Sequence, residues 1–233
     1  MARLVVAIDG PSGVGKTTTS KLVAKALGIP HIDTGAMYRA IALGATRNGI
    51  DLRDEGALER LASESTIEFR REGETSHTIL DGEDVSTAIR TPEISMAASD
   101  VSAIPAVRRV LVRLQQEIGW RDGGVLEGRD IGTKVFPDTP HKFFLTARPE
   151  VRAERRHREL HEKGSVESPE TVMAALLRRD EQDSTRADSP LTYDESYTVI
   201  DTSDLSLEDV AMQIVNSVRS QESEANRFSP ERD

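Results

Sequence analysis

The segment from Gly10 to Thr17 combines residue types at a spacing that suits the binding of a phosphate chain. It reads Gly-Pro-Ser-Gly-Val-Gly-Lys-Thr and matches the phosphate-loop pattern G-x-x-x-x-G-K-[ST]. Glycines allow a tight wrap, so that backbone N–H groups and the start of the next helix point at the same phosphate oxygens. Lys16 then reaches the β- and γ-phosphates, and Thr17 offers its hydroxyl to Mg²⁺. The sequence therefore predicts a site for a nucleoside triphosphate, formed by Gly10, Pro11, Ser12, Gly13, Val14, Gly15, Lys16, Thr17 and Thr18.

Four further stretches hold candidates for binding an acceptor. They cover residues 33–39, 127–133, 148–158 and 178–186, and they are rich in arginine, aspartate and glycine. Open α/β sheets bind ligands at the carboxyl ends of their strands, where these stretches are expected to lie. Arginine offers a planar fork that matches phosphate oxygens, and glycine allows close approach of the backbone.

Each stretch also has a structural interpretation that the sequence leaves open. Asp33 or Thr34 could cap a helix, and Arg129 could lie in a turn with a surface ion pair. The arginines of residues 148–158 alternate with glutamates, as on a solvated helix, although Arg148, Arg152, Arg155 and Arg156 are predicted on one face. In the last stretch Arg179, Asp183 and Arg186 are also predicted on one helical face, either for a ligand or as an ion-pair ladder. Asp33-Thr34-Gly35 occurs once, which disfavours an aspartic protease, because that dyad needs two carboxylates.

The sequence shows no histidine paired with a carboxylate as a general base. The five histidines, at positions 31, 77, 141, 157 and 161, are scattered along the chain. A kinase for a sugar hydroxyl would benefit from a group that accepts the proton. A phosphate monoester needs none, since its oxygen is already ionised near neutral pH. We therefore expect an acceptor that is itself a phosphate.

Composition narrows the class of protein. The chain has 233 residues, a formal net charge of -10 and no cysteine, which excludes disulfides, thiolate zinc sites and thiol nucleophiles. The negative charge opposes general affinity for nucleic acid and fits a small anionic substrate held by local arginines. No signal peptide and no apolar stretch long enough to cross a membrane is evident. We expect a cytoplasmic monomer with no nucleic-acid or membrane partner.

Predicted strands and helices alternate along the chain. The predicted strands of the main sheet cover residues 4–8, 31–33, 125–126, 142–145 and 197–200. Residues 66–71 and 78–80 alternate like strands around polar turns and predict a small antiparallel insertion. The order predicts an α/β fold with a doubly wound parallel sheet. The polar residues 220–233 predict a disordered tail.

Taken together, the motifs resemble those of the bacterial cytidylate kinases, a family of nucleoside monophosphate kinases. The order is phosphate loop, Asp33-Thr34-Gly35-Ala36-Met37-Tyr38-Arg39, Ile89-Arg90-Thr91, Gly128-Arg129-Asp130-Ile131-Gly132-Thr133, and R-D-x-x-D-x-x-R from Arg179 to Arg186. The resemblance spans the chain to about residue 219. It implies a phosphate-loop core at 1–35 and 95–220, a lid at about 148–166 and a monophosphate-binding insertion at 36–94. Two departures are Thr17-Thr18 after Lys16, which leaves open which hydroxyl meets Mg²⁺, and Glu127 in place of the usual aspartate.

The resemblance implies transfer of the γ-phosphoryl group of ATP to CMP, and to dCMP, giving CDP or dCDP and ADP. It implies a monophosphate pocket from Asp33, Thr34, Tyr38 and Arg39, and base recognition by Ser99 and Arg108. It places Arg129 and Asp130 at the monophosphate end, while Arg179, Asp183 and Arg186 hold phosphate, sugar and base edge. The implied catalytic residues are Lys16, Arg129, Arg152 and Arg156. Two alternatives stay open: a phosphate-loop kinase for a small metabolite such as shikimate or gluconate, and a nucleotide-binding switch.

Overall fold

The computed structural model describes residues 3–73, 75–162 and 164–228. The first two residues, Glu74 in a predicted turn, Lys163 at a predicted helix end and residues 229–233 of the predicted tail lie outside this description. In chain order the strands are β1 (Val5–Asp9), β2 (His31–Asp33), β3 (Ile67–Glu72), β4 (Thr75–Leu80), β5 (Glu83–Asp84), β6 (Gly124–Gly128), β7 (Lys142–Thr146) and β8 (Thr198–Asp201). The helices are α1 (Lys16–Leu27), α2 (Thr34–Arg47), α3 (Glu55–Glu64), α4 (Pro92–Ala103), α5 (Pro105–Asp122), α6 (Pro149–Glu162), α7 (Pro169–Thr185) and α8 (Leu207–Phe228).

The main sheet has five parallel strands in the order β2-β6-β1-β7-β8. β1 is buried along its whole length, and its side chains alternate between two apolar cores. Val5 and Ala7 face the core formed with α2 to α5, whereas Val6 and Ile8 face the core formed with α1 and α8. Helices therefore cover both faces of the sheet, which confirms the predicted doubly wound α/β fold.

The register of the central strands brings three chain segments to one edge. Asp9, the last residue of β1, pairs with Gly128, and Glu127 pairs with both Ile8 and Asp33. The phosphate loop, the start of α2 and the loop after β6 therefore leave the sheet at the same level. This is the edge at which parallel α/β sheets bind ligands.

A small antiparallel sheet formed by β3, β4 and β5 is separate from the main sheet. Asp81 and Gly82 connect β4 to β5 with positive φ angles of 50° and 87°, as a tight hairpin turn requires. This confirms the predicted small sheet. After it, Thr91 caps α4 by accepting a hydrogen bond from the backbone N–H of Ile94, and Pro92 occupies the first helical turn.

The chain differs from the sequence prediction at its carboxyl end. The predicted disorder begins at residue 220, but α8 continues to Phe228. The extension has a packing reason: the buried ring of His141 contacts Gln221 Oε1 at 2.6 Å and Glu222 Oε1 at 2.9 Å. The sequence did not predict these two contacts, because Gln221 and Glu222 lie in a polar segment and such residues are usually exposed to solvent.

A second difference is a π-helical turn at Ile131–Val135, directly after the Gly128-Arg129-Asp130 segment. The sequence pattern predicted no helix there. Among the described residues, every helix is either too short or too polar to cross a lipid bilayer.

The contacts of His141 generate a stability prediction. Replacing both Gln221 and Glu222 by alanine leaves a buried imidazole without these partners, so we expect the free energy of unfolding to fall by about 1–3 kcal/mol. The control is Glu224→Ala on the exposed side of α8, which we expect to change it by less than about 0.5 kcal/mol. Urea denaturation measures both. Equal stability of the double variant and the control would show that this part of α8 contributes nothing to the fold.

Candidate active site

The phosphate loop connects β1 to α1 through glycines whose geometry other residues could not adopt. Gly10 has a φ of 145°, and a side chain there would overlap the carbonyl oxygen of Leu145. Gly15 takes a left-handed conformation as the residue before α1. The loop therefore lies tightly against the end of β7, with the amino-terminal end of α1 opening beside it.

Lys16 turns its side chain back into the loop. Its Nζ donates hydrogen bonds to the carbonyl oxygens of Gly10 at 2.7 Å and Pro11 at 2.6 Å. Burial, followed by the nearby charge of Arg129, holds the pKa of Lys16 well below its usual value. An anion beside the ammonium group would relieve both effects.

The side-chain oxygens of Thr17 and Glu127 lie together at the start of α1, where both are available as ligands of a metal ion. The Thr17 hydroxyl donates to Glu127 Oε2 at 3.0 Å, and Glu127 Oε1 lies 3.0 Å from His31 Nε2. Mg²⁺ is typically held by one or two protein oxygens together with phosphates and waters, so this donor set fits the ion. The described residues contain no cluster of three or more acidic, histidine or cysteine side chains that could hold a metal without a nucleotide. Thr18 is exposed and lines a different cleft, beside α5 and β3.

Arg129 joins the phosphate loop to the predicted acceptor residues. Its Nη2 donates to the Ser12 hydroxyl at 3.0 Å, and its Nε donates to Asp183 Oδ2 at 2.8 Å. Ser12 belongs to the phosphate loop and Asp183 to α7, 171 positions away (183 − 12). The structure therefore places the two predicted halves of the site against each other.

Three arginines surround the buried carboxylate of Asp183. Besides Arg129, Arg186 Nη1 lies 3.5 Å from Asp183 Oδ1, and Arg179 acts on it through its charge. Burial opposes the ionised form of Asp183, but these three charges outweigh it and keep its pKa below the usual value. Asp183 is therefore a carboxylate at neutral pH and a weak base.

The prediction that Arg179, Asp183 and Arg186 share one helical face needs correction. α7 ends at Thr185, and Arg186 is its cap in an extended conformation, with φ of -61° and ψ of 142°. Its Nε donates to the carbonyl oxygen of Ser189 at 2.5 Å, and this bond turns the side chain toward the site. The three side chains are still close together, but Arg186 reaches the other two through the turn after the helix and not through helical periodicity.

Asp130 points away from Arg129 although the two are adjacent in sequence. Asp130 Oδ2 accepts a hydrogen bond from Arg108 Nη2 at 2.5 Å, and Arg108 also donates to the carbonyl oxygen of Ser102 at 3.0 Å. The Arg108 guanidinium lies 5.4 Å from the centre of the Tyr38 ring, as in a cation–π contact. Asp130 therefore pairs with Arg108 while Arg129 contacts Ser12, and the predicted contact of Asp130 with the monophosphate stays a prediction.

Asp33 and Thr34 hold the start of α2. Asp33 caps the helix by accepting from the backbone N–H of Ala36 at 3.1 Å, which confirms the capping interpretation. It also pairs with Arg39 at 2.7 Å, and the Thr34 hydroxyl donates to the carbonyl oxygen of Glu127 at 2.7 Å. Burial opposes the ionised form of Asp33, yet the charge of Arg39 leads the effects that lower its pKa. Asp33 therefore caps α2 and orients Arg39, and its predicted place in the monophosphate pocket stays a prediction.

One cavity lies between these groups, at the edge of the sheet. It is lined by Thr34, Gly35, Tyr38, Ala98, Ser102, Arg108, Gly128, Arg129, Asp130, Arg179, Asp183 and Arg186. Several buried guanidinium nitrogens at or beside it have no hydrogen-bond partner among the described residues: Nε of Arg39, Arg108 and Arg179, and Nη2 of Arg186. Buried donors are normally satisfied. These nitrogens are therefore suited to oxygens that a ligand would bring.

The pKa of Arg179 gives the clearest indication that the cavity is suited to an anionic ligand. Burial, followed by the charge of Arg129, lowers its pKa to about 10 from an ordinary value of 12.5. Its charge is held in a place that the folded chain alone makes unfavourable. An anion in the cavity would reverse that effect.

The arginines of α6 separate, contrary to the prediction of one shared face. Arg148 precedes the helix, which begins at Pro149, and it pairs with Asp204 at the surface. Arg155 donates to the carbonyl oxygen of Thr202 at 2.6 Å, and the Thr202 hydroxyl in turn donates to the carbonyl oxygen of Val14 in the phosphate loop. The prediction is wrong for Arg148, which lies outside the helix, whereas Arg155 lies within it and is bonded to a partner distant in sequence.

Arg152 does reach the phosphate loop. Its Nη1 donates to Asp180 Oδ2 at 2.6 Å and to the carbonyl oxygen of Ser12 at 3.3 Å. Arg156 lies one turn later and pairs with Glu159 at 2.8 Å. Arg156 is near enough to Arg179 to contribute to the lowering of its pKa.

Ser99 lies outside the cavity. Its hydroxyl donates to Gln182 Oε1 at 3.0 Å on the exposed side of α4, whereas Ser102, three residues later, lines the cavity. Its predicted contact with a base therefore stays a prediction.

Sequence reasoning did not assign roles to Glu127, Asp180 and Asp9, which the structure brings to the site or directly beneath it. Glu127 and Asp9 are charged residues at the ends of otherwise apolar strands, and this position is the signal that could have found them. Asp180 carries no such signal, because it lies in a polar stretch of α7.

Comparison with known proteins agrees with this geometry. Residues 6–220 match the family model described as cytidylate kinase. A cytidylate kinase from Citrifermentans bemidjiense is 46% identical over 93% of this chain and 93% of its own length. A cytidylate kinase from Geobacter sulfurreducens is 48% identical over 94% of each chain.

Among solved structures, an uncharacterised protein from Eubacterium ventriosum shares the fold. It has a TM-score of 0.53 at 11% identity and covers 94% of this chain and 99% of its own. The match over nearly the whole chain, with phosphate loop and arginine-lined cavity side by side, establishes that this chain belongs to the cytidylate kinase family.

Proposed function

We propose that this protein transfers the γ-phosphoryl group of ATP to CMP, and to dCMP, forming CDP or dCDP and ADP. The observation that carries the proposal is Arg129, which contacts both Ser12 of the phosphate loop and Asp183 of the cavity. One guanidinium group between the two proposed nucleotide sites is suited to the charge that spreads over a phosphoryl group in transfer. Arg129 is proposed as a catalytic residue on this basis.

The electrostatics of the cavity favour an acceptor that is already ionised. A sugar hydroxyl would need a base to take its proton, and Asp183 is a weak base because its pKa is lowered. A phosphate monoester needs no base at neutral pH. It would also supply oxygens to the unpartnered nitrogens of Arg39 and Arg179.

The far end of the cavity is suited to a cytosine ring. Contacts run from Ser12 through Arg129, Asp183 and Arg186 to Asp130, and Arg108 lies beyond. Asp130 can accept from the amino group of cytosine, and Arg108 can donate to ring acceptors. Uracil presents an oxygen where cytosine has its amino group, so the carboxylate disfavours UMP.

At the donor end the protein is proposed to bind, orient and shield the triphosphate. Lys16 would exchange its bonds to the loop carbonyls for bonds to phosphate oxygens. Arg152 lies beside Ser12, where it would also contact the phosphates. Thr17 and Glu127 would hold Mg²⁺ with the phosphates, and the ion would neutralise charge on the phosphate oxygens. Closure of residues 148–166 as a lid would exclude water, which could otherwise accept the phosphoryl group.

The division into a core, a lid and a monophosphate-binding insertion is part of this proposal. The separate sheet of β3 to β5 lies within the proposed insertion, at residues 36–94. A cytoplasmic location and a monomeric state stay predictions.

A panel of acceptors at saturating ATP tests the activity. We expect CMP to stimulate ADP release most strongly, with dCMP close behind and UMP, AMP, GMP, shikimate and gluconate far lower. A coupled assay for ADP measures this. Preference for AMP or for a non-nucleotide would contradict the proposed base recognition, and ADP release that no acceptor stimulates would favour a nucleotide-binding switch.

Asp130→Asn tests the recognition of the base. The amide retains the shape but can donate toward uracil, so we expect kcat/KM for CMP to fall about 10- to 100-fold and the preference for CMP over UMP to shrink. The control is Asp138→Asn, an exposed residue after the π-helical turn, which should leave both values unchanged. An unaltered ratio of CMP to UMP in Asp130→Asn would exclude Asp130 as a base reader.

Arg179→Met separates binding from stability. Removing a buried charge that the fold disfavours should leave the free energy of unfolding unchanged or raise it by about 1–2 kcal/mol, while CMP affinity falls at least about 10-fold. Calorimetric titration and urea denaturation measure the two effects. Arg109→Met on the exposed face of α5 should change neither. Loss of stability with intact CMP affinity would mean that Arg179 is structural.

A further inference from the structure

Asp9 is a fully buried carboxylate that the proposed chemistry does not use. It is the last residue of β1 and directly precedes Gly10 of the phosphate loop. Burying a carboxylate is unfavourable unless hydrogen bonds compensate it. The contacts of this side chain therefore indicate what it does.

Three donors converge on Asp9 from distant parts of the chain. Its Oδ1 accepts from the backbone N–H of Ile131 at 2.9 Å. Its Oδ2 accepts from the backbone N–H of Gly132 at 2.9 Å and from the hydroxyl of Tyr197 at 2.8 Å. All three bonds are buried, and Asp9 is the acceptor that the structure gives the backbone N–H groups of Ile131 and Gly132, so these two donors would lack a partner without this carboxylate.

Two of these donors open the π-helical turn at Ile131–Val135. The first N–H groups of a helical turn have no partner within it and need an external acceptor. Later N–H groups bond back inside the turn, for example Lys134 to the carbonyl oxygen of Asp130 at 2.8 Å. Asp9 thus caps the turn from another strand.

The third donor to the Asp9 carboxylate is the hydroxyl of Tyr197. It precedes β8, and Lys142 Nζ lies 5.9 Å from the centre of its ring. The hydroxyl packs so closely on Gly132 that a side chain at Gly132 would approach it to 2.5 Å. The ring therefore fixes Gly132 against Asp9.

The arrangement fixes both ends of one dipeptide. The backbone of Asp9 pairs with Gly128 in the sheet, and its side chain holds Ile131 and Gly132. Between these anchors lie only Arg129 and Asp130, the residues that face the phosphate loop and Arg108 respectively.

We propose that Asp9 is a positioning residue that sets Arg129 and Asp130 relative to the phosphate loop, so that donor and acceptor sites keep a fixed spacing. This inference rests on the proposed function for its kinetic consequences. Burial, partly offset by its hydrogen bonds, raises the pKa of Asp9 to about 6, which still leaves the carboxylate ionised at neutral pH to accept all three bonds.

Asp9→Asn is the direct test. One oxygen becomes an amino group that must face an N–H donor, so one of the two backbone bonds that cap the turn is lost while the volume is kept. Small displacements of catalytic groups can reduce rates up to about 100-fold, and we expect kcat/KM for CMP to fall about 10- to 100-fold. We expect KM for ATP to change less than about twofold. The amides of Ile131 and Gly132 should exchange hydrogen faster by NMR.

A matched control separates positioning from stability. Val218→Ala removes a buried side chain from α8 in the core that does not hold the acceptor helices. It should lower the free energy of unfolding but leave the kinetics with CMP and exchange at residues 131 and 132 unchanged. If Asp9→Asn behaves like this control, the proposal is overturned.

Tyr197→Phe provides a second test of the positioning role of Asp9 if Asp9→Asn does not fold. It removes one of the three bonds and leaves the two to the backbone, so we expect a fall of about threefold in kcat/KM for CMP. Unchanged exchange at residues 131 and 132 together with unchanged CMP kinetics would overturn the proposal. If the wild type does not phosphorylate CMP, the proposed function fails, and the exchange measurements alone then decide whether Asp9 fixes the turn.

Discussion

The site depends on keeping several positive charges together in a space where they repel one another. Arg129, Arg179 and Arg186 surround Asp183, and one buried carboxylate offsets only part of their charge. Desolvation adds to the repulsion, as the lowered pKa of Arg179 shows. The free energy that holds this cluster comes from the surrounding fold, and an anionic ligand is the natural complement.

The sheet register explains how residues far apart in sequence form this cluster. Because β6 lies between β2 and β1, the end of β6 can contact both the start of α2 and the phosphate loop. Glu127 shows this directly, with its carbonyl oxygen bonded to Thr34 and its carboxylate bonded to Thr17. A shift of β6 by one residue would exchange these contacts for ones on the opposite face.

Much of this could be predicted from the sequence because the motifs are local. The phosphate loop, the cap at Asp33 and the small antiparallel sheet follow from spacing within a few residues. Directions set by distant partners could not be predicted. Arg155 turns to Thr202, Asp130 turns to Arg108, and Asp9 reaches Tyr197, 188 positions away. The polar end of α8 was missed for the same reason, because His141 gives it a partner that composition does not reveal.

Each of the two apolar cores supports a different part of the site. The core with Val14 and α1 supports the phosphate loop, whereas the core with Met37, Ile41 and α5 supports the acceptor cavity. Little besides the sheet that separates them is common to both. Side chains that extend from the core with Met37 and Ile41 toward the cavity can therefore be exchanged, by natural divergence or by design, without altering the core that supports the phosphate loop.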